Sequence, residues 1–323
     1  MKKVLVVRFS SIGDIVLTSP ILRAIKDQKQ EIEIHYLTKD IYSDLVENNP
    51  NVDKVYTIES SVATVLKELK KEEYDYIVDL HHNVRTSRLK LSLARPNGTF
   101  PKLNFRKFLL TQFKINKMPK IHIVDRYFEA VKPLGIINDN KGLDFFIPQL
   151  DEVDLDSFQI PPYFIAFAIG AQFATKRLPT ESIIELVSKM NLPIVLLGGT
   201  LDEKAAAMIT KACSNAIDLT GQLNLNQSAS VIKQASKVVS HDTGLMHIAA
   251  AFDKPIISIW GNTVPDLGMY PYMPKNETNF SIHEVSHLKC RPCSKIGHQA
   301  CPKKHFACMT EQDLDAIAED VLG

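Results

Sequence analysis

The sequence lacks the features that would place a chain across a membrane, on nucleic acid or on a nicotinamide cofactor. No stretch approaches the about 18 uncharged apolar residues of a spanning helix, so no membrane span is expected. Basic and acidic residues nearly balance, for a formal net charge of +1, and the whole-chain field selects no polyanion such as nucleic acid. No G-x-G-x-x-G follows any apolar run, which argues against a nicotinamide-dependent oxidoreductase. The opening MKKVLVVRFSSIGD carries the lysines of a signal peptide. Arg8 interrupts its apolar run, however, and no small-residue cleavage site follows. It reads as a first strand, and the protein as cytoplasmic. Acids are missing from positions 81 to 120, where Arg85, Arg88, Lys90, Arg95, Lys102, Arg106, Lys107, Lys114, Lys117 and Lys120 fall. That local positive field suits an anionic partner or an anionic lipid surface. The plainer alternative is a solvated face balanced by acids elsewhere.

What is present is a chain of 323 residues, 45% hydrophobic, which is normal for a folded protein but long for one core. Two domains of roughly 150 residues each are expected. Apolar runs read as strands at 4–9, 32–37, 54–58, 74–80, 163–169, 193–197, 216–219, 238–240, 255–260 and 280–283. Helical periodicity separates most of them. One helix runs to about Lys26 with a restart near Ser19, before Pro20; another spans 310–322, with Thr310 as cap and Asp313 at its third position. The alternation predicts α/β architecture, two Rossmann-like doubly wound domains with parallel sheets. The boundary is expected at 155/156, giving domains 1–155 and 156–323, with the last helix an option to pack back on the first. Residues 136–162, rich in acids (Asp139, Asp144, Asp151, Glu152, Asp154, Asp156) and proline, read as the solvated connector.

The stretch KVVSHDTGLMHIAAAFDKPIISIWG, from Lys237 to Gly261, reads as strand, polar turn, helix, strand. Asp242 or Thr243 is placed to cap the helix. A helix start offers unpaired N–H groups and partial positive charge to a phosphate, although the turn has no phosphate-binding glycine pattern. That field is worth only about 0.3–1 kcal/mol, so side-chain cations are needed as well. Lys176 and Arg177 follow the Gly170 turn and could hold a diphosphate. His247, one turn into the helix, could reach an anion, but a lone histidine on an apolar helix is more often packed. Asp14 follows a glycine at a strand-to-helix turn, where a carboxylate could take a proton; the simpler reading is an acid favoured by the helix dipole. Ligands of doubly wound sheets bind beyond the C-terminal ends of the strands. The polar turns at 10–14, 81–83, 170–177, 198–203 and 241–244 are therefore expected to line one cleft. Cys290, Cys293, Cys301 and Cys308, interleaved with His298 and His305, contain a CxxC but match no standard finger. Reduced thiols packed under a loop are the preferred reading, and a bound metal stays open.

Together these pieces resemble glycosyltransferase family 9, the ADP-heptose:lipopolysaccharide heptosyltransferases. VLVVRFSSIGDIVLTSPILRAIK and SHDTGLMHIAAAFDKPIISIWG carry the resemblance, with HIVDRYFEAVKPLG and CRPCSKIGHQACPKKHFACM in support. It implies a GT-B fold and a metal-independent, inverting transfer of heptose from ADP-heptose to a lipopolysaccharide core acceptor, with no cofactor. Asp14 matches the catalytic base and Lys176 the phosphate-contacting lysine. Asp242, Thr243, Gly244, Leu245 and His247 match the donor site, with Arg177 beside it. Gly199, Asp202 and Glu203 lie where the nucleoside sits, and the ribose contact falls to either acid. Ser11, Gly13, Arg85 and Arg88 are expected to meet an anionic lipid-linked sugar acceptor, with peripheral contact at the inner-membrane surface. A GT-B enzyme using another nucleotide sugar, or a binding protein with a Cys-rich metal module, are the alternatives.

Overall fold

A computed structural model describes residues 2–323. The chain forms two compact units: the first runs through Lys102 and again from Ile121 to Phe146, the second comprises Leu103–Lys120 and Ile147–Gly323.

The first unit holds β1 (Lys3–Val7), β2 (Glu33–Lys39), β3 (Lys54–Ile58), β4 (Tyr76–Asp79) and β5 (Asn97–Thr99), all parallel, in the order β3-β2-β1-β4-β5. Val4 to Val7 are fully buried, as the middle strand of a sheet covered on both faces must be. Its helices are α1 (Ile12–Val16), α2 (Ser19–Gln28), α3 (Leu66–Lys71) and α4 (Val84–Leu93). α2 restarts at Ser19 with Pro20 in its first turn, where the missing N–H costs nothing. Because β2 and β4 flank β1 on opposite sides, the turns after β1 and β4 part at a topological switch point.

Leu103–Lys120, which sequence reading left without an element, forms α5 (Asn104–Phe108) continued by one π-helical turn, Leu109–Phe113. Leu110 packs with Val264, Leu267 and Met118, and this contact assigns the segment to the second unit. α6 (Ile123–Phe128) belongs to the first unit and is shorter than its apolar pattern suggested; a separate 3₁₀ turn, Lys132–Leu134, ends at Gly135 with φ of 72°.

The second unit holds β6 (Ile165–Ala168), β7 (Ile194–Leu197), β8 (Ala216–Asp218), β9 (Lys237–His241), β10 (Ile256–Trp260) and β11 (Phe280–Glu284), again parallel, in the order β11-β10-β9-β6-β7-β8. The helices α7 (Thr180–Ser188), α8 (Glu203–Ala212), α9 (Leu225–Gln234), α10 (Gly244–Ala251), α11 (Ala307–Thr310) and α12 (Leu314–Leu322) complete it. Its switch point lies between β6 and β9.

Two expectations are corrected. Thr310 does not cap the last helix; it closes α11, and Asp313 caps α12 by accepting the Ala316 N–H at 3.0 Å. α12 itself packs on α7 and β10. The acids of 136–162 are not a solvated connector throughout. Arg23 clamps Asp139 at 2.8 Å, contacts Asp144 and donates to Gly142 O, and Asp151 accepts from Asn224 and Asn226. The chain changes units at Lys102/Leu103, at Lys120/Ile121 and, for the last time, at Phe146/Ile147.

Candidate active site

In the first unit, the turn after β1 presents Ser10 and Ser11, then α1 with Asp14 in its first turn. Ser11 is the N-cap residue of α1; its hydroxyl donates to Asp14 Oδ2 at 3.0 Å and its N–H donates to the same oxygen at 3.3 Å. The other carboxylate oxygen sits 2.6 Å from Arg8 Nη2. Arg8 is itself buried, donating from Nη1 to Leu80 O and from Nε to Ser10 O. Burial is the largest single influence and pulls the guanidinium toward neutrality, but Asp14, Tyr127 and Tyr36 together outweigh it and raise its pKa. Asp14 is thus a partly exposed carboxylate aimed by two fixed groups.

At the end of β4, burial first, and then the charges of Arg8 and Lys102, push His81 down to about 3. Its ring packs on Phe9, 4.9 Å between centroids. Arg85 lies over the other part of this corner, its guanidinium 5.0 Å from the Phe9 ring centroid and bonded to Ser60 O. Arg88 is exposed one turn on, and Gly13 is buried inside α1. Of the basic stretch, Lys90 pairs with the fully buried Asp79 at 2.9 Å and Lys102 donates to the carbonyls of His81 and His82. These cations are structural as well as electrostatic.

In the second unit, the turns after β6, β7 and β9 converge. Thr243 is the N-cap residue of α10 in extended conformation, but its side chain makes no cap bond. Lys176 Nζ lies 2.6 Å from Asp242 Oδ2 and 3.1 Å from Asp242 O, which places a cation against the start of α10. Thr263 holds the same Asp242 oxygen at 2.8 Å. Arg177 bonds Asp202 at 2.9 Å and Ala171 O at 2.6 Å, while Asp202 also accepts the Gly199 N–H at 3.0 Å. Gly170 and Gly198 are needed here: a Cβ would meet Asp202 Oδ2 at 2.2 and 2.8 Å. Asp202 is therefore consumed in tying two turns together, whereas Glu203 is exposed at the start of α8. Gly244 and Leu245 open α10, and His247 is buried on its inner face, 2% exposed. His241, at the end of β9, accepts the Leu178 N–H at 3.0 Å; burial and then Arg177 push it down to about 3, so its ring is neutral.

Residues 62–300 match the family model described as glycosyltransferase family 9 (heptosyltransferase). The chain belongs to glycosyltransferase family 9. Among its relatives, lipooligosaccharide heptosyltransferase 2 of Haemophilus influenzae is 23% identical, over 92% of this chain and 94% of that one. Lipopolysaccharide heptosyltransferase 1 of Pseudomonas aeruginosa is 25% identical over 91% and 86%. The solved family 9 glycosyltransferase from Veillonella parvula aligns with TM-score 0.77 at 20% identity, covering 99% and 96%. The E. coli heptosyltransferase WaaC with ADP aligns with TM-score 0.70 at 21% identity, over 99% of each chain. The fold is GT-B, as expected.

Several residues of this glycosyltransferase were not reached by sequence reading. Arg8 was visible as a charge inside an apolar strand. Thr175, Asn262 and Thr263 were not, and His298 was noted only beside the cysteines: Thr175 donates to Asn262 Oδ1 at 3.0 Å and accepts the His298 N–H at 2.8 Å, bracing the turn that carries Lys176. Arg291 is buried and gathers the carbonyls of Trp260, Gly261, Thr263 and Val285, which fixes the chain beyond β10. All the cysteines are free. Cys290 Sγ lies 3.7 Å from His305 Nε2, and burial pushes the thiols of Cys293 and Cys308 up to about 11 and about 12. Among the described residues no group of three or more His, Cys, Asp or Glu side chains is arranged to hold a metal ion.

Proposed function

We propose that this glycosyltransferase moves a heptose from ADP-heptose to a lipid-linked lipopolysaccharide core sugar, with inversion, with neither metal nor cofactor, on the cytoplasmic face of the inner membrane. The observation that carries the donor half is Lys176 held against the start of α10 by Asp242. The N–H groups of an α10 start and one ammonium suit a diphosphate, and they stabilise it further as it gains charge on leaving. Similarity to lipopolysaccharide heptosyltransferases supports heptose as the sugar. Glu203 is assigned the ribose, because Asp202 is already engaged by Arg177 and Gly199.

Asp14 is assigned the proton of the acceptor hydroxyl. As the acceptor oxygen bonds to the anomeric carbon, the bond to the diphosphate breaks, ADP departs with that electron pair, and Asp14 holds the proton. One displacement inverts the centre. Arg85 and Arg88, with Ser11 and Gly13, are assigned the anionic acceptor.

The test is transfer from ADP-heptose to a heptose-deficient lipopolysaccharide, followed by ADP release and product mass. Asp14→Asn should lower kcat by about 10²–10⁴ while calorimetric affinity for the donor stays near wild type. Full transfer by that variant would remove Asp14 from the chemistry. Tighter binding of a UDP- or GDP-sugar than of ADP-heptose overturns the donor, and a chelator-sensitive rate restored by a divalent metal overturns metal independence.

A further inference from the structure

The turn of chain from Leu103 to Lys120 has its amphipathic character reversed. Leu110 and Thr111 face inward, where Leu110 joins Val264, Leu267 and Met118. Phe105 and Phe108, one helical turn apart, face out, 71% and 51% exposed; Phe113 and Ile115 follow at 60% and 46%. The rings of Phe108 and Phe113 meet edge to face, 5.7 Å between centroids, so they form one patch and not scattered residues. The segment is pinned from behind: Lys114 Nζ donates to Thr111 O and Pro292 O, and Asn116 Nδ2 to Asp266 Oδ1 at 2.7 Å. Arg106, Lys117 and Lys120 are exposed around the patch, and the segment contains no acid.

We propose that this face is a docking surface for an anionic phospholipid bilayer, with Phe105, Phe108, Phe113 and Ile115 entering the headgroup boundary and Arg106, Lys117 and Lys120 meeting lipid phosphates. It rests on the lipid-linked acceptor reading and names the part of the chain that reaches the membrane. Aromatic side chains beside cations are the composition of an interfacial anchor. A second copy of this chain fits less well, since a self-complementary contact would bring the same cations face to face. Each such cation near an anionic surface multiplies affinity about fivefold, and the apolar side chains add to that.

Co-sedimentation of the full chain with vesicles tests this without donor or acceptor, so its outcome is separate from that of the transfer reaction. Wild type should bind phosphatidylcholine vesicles containing phosphatidylglycerol, and bind pure phosphatidylcholine at least tenfold more weakly. Phe105→Ser/Phe108→Ser/Phe113→Ser should lower binding at least tenfold. Arg106→Glu/Lys117→Glu/Lys120→Glu, which leaves the apolar packing alone, should lower it about 100-fold and remove its salt dependence. Both variants should melt near wild type and turn over detergent-dispersed acceptor at the wild-type rate. Wild type that ignores phosphatidylglycerol, a phenylalanine variant that binds normally, or a dimer that this variant dissociates would each overturn the proposal.

Discussion

Arg8 does at residue scale what no helix or strand could do for Asp14. Its fork reaches Asp14, Leu80 O and Ser10 O at once, so the carboxylate is fixed relative to the ends of both β1 and β4. Removing one partner of a buried pair costs about 3–5 kcal/mol, because the other is left uncompensated. Arg8→Met should lower urea stability by an amount of that order, somewhat less because Asp14 is partly exposed. Arg8→Lys keeps the charge but not the fork. Its expected signature is a kcat loss of tenfold or more with a melting point within a few degrees of wild type; full activity would show that orientation is immaterial. Lys176→Ala should act differently, raising the donor KM and lowering kcat together, since the ammonium is assigned both donor and departing diphosphate. Asp14 and Lys176 could be singled out as candidates because each sits in a polar turn after an apolar run. Arg8 was legible as a residue but not as a partner, because Asp14 lies six positions on and Leu80 comes from another strand.

At the scale of elements, the site of the second unit depends on two turns being held together. Asp202, from the turn after β7, reaches back to Arg177, which follows the turn after β6. A methyl at Gly170 would sit 2.2 Å from Asp202 Oδ2, so Gly170→Ala must push this clamp open. Contacting residues couple by about 0.5–3 kcal/mol. In a double-mutant cycle read by donor affinity, Gly170→Ala should weaken binding strongly in wild type and little in Asp202→Ala; equal losses in both would show that the clamp does not act on the site. β6, β7, β9 and β10 were readable because buried parallel strands are nearly unbroken apolar runs, whereas β8 and β11, half-buried at the sheet edges, gave shorter and weaker runs. β5, at the sheet edge with the sequence Asn97-Gly98-Thr99, carried no such run, and α5 showed its apolar side to solvent, so its period pointed to no core.

On the scale of the whole molecule, two units with separate sheets and cores imply two unfolding events, and the chain supplies a probe for one of them. Trp260 is the only tryptophan, lies in β10 and is 1% exposed, so its fluorescence follows the second unit alone. His241, in the neighbouring β9, is fully buried and neutral, its pKa pushed by burial from 6.5 down to about 3. Unfolding releases it to water, where it titrates normally. Between pH 6.5 and about 3 the unfolded chain therefore binds one proton more than the native chain at this position, and stability falls as acid is added. The limiting slope for one such group is about 1.4 kcal/mol per pH unit. Urea unfolding followed by tryptophan fluorescence at pH 7 and pH 5.5 should show that loss. His241→Gln keeps an acceptor for the Leu178 N–H and removes the titration. Whatever the substitution costs at pH 7, it should flatten the acid slope by up to about 1.4 kcal/mol per pH unit, and an unchanged slope would mean that His241 is not held neutral in the fold.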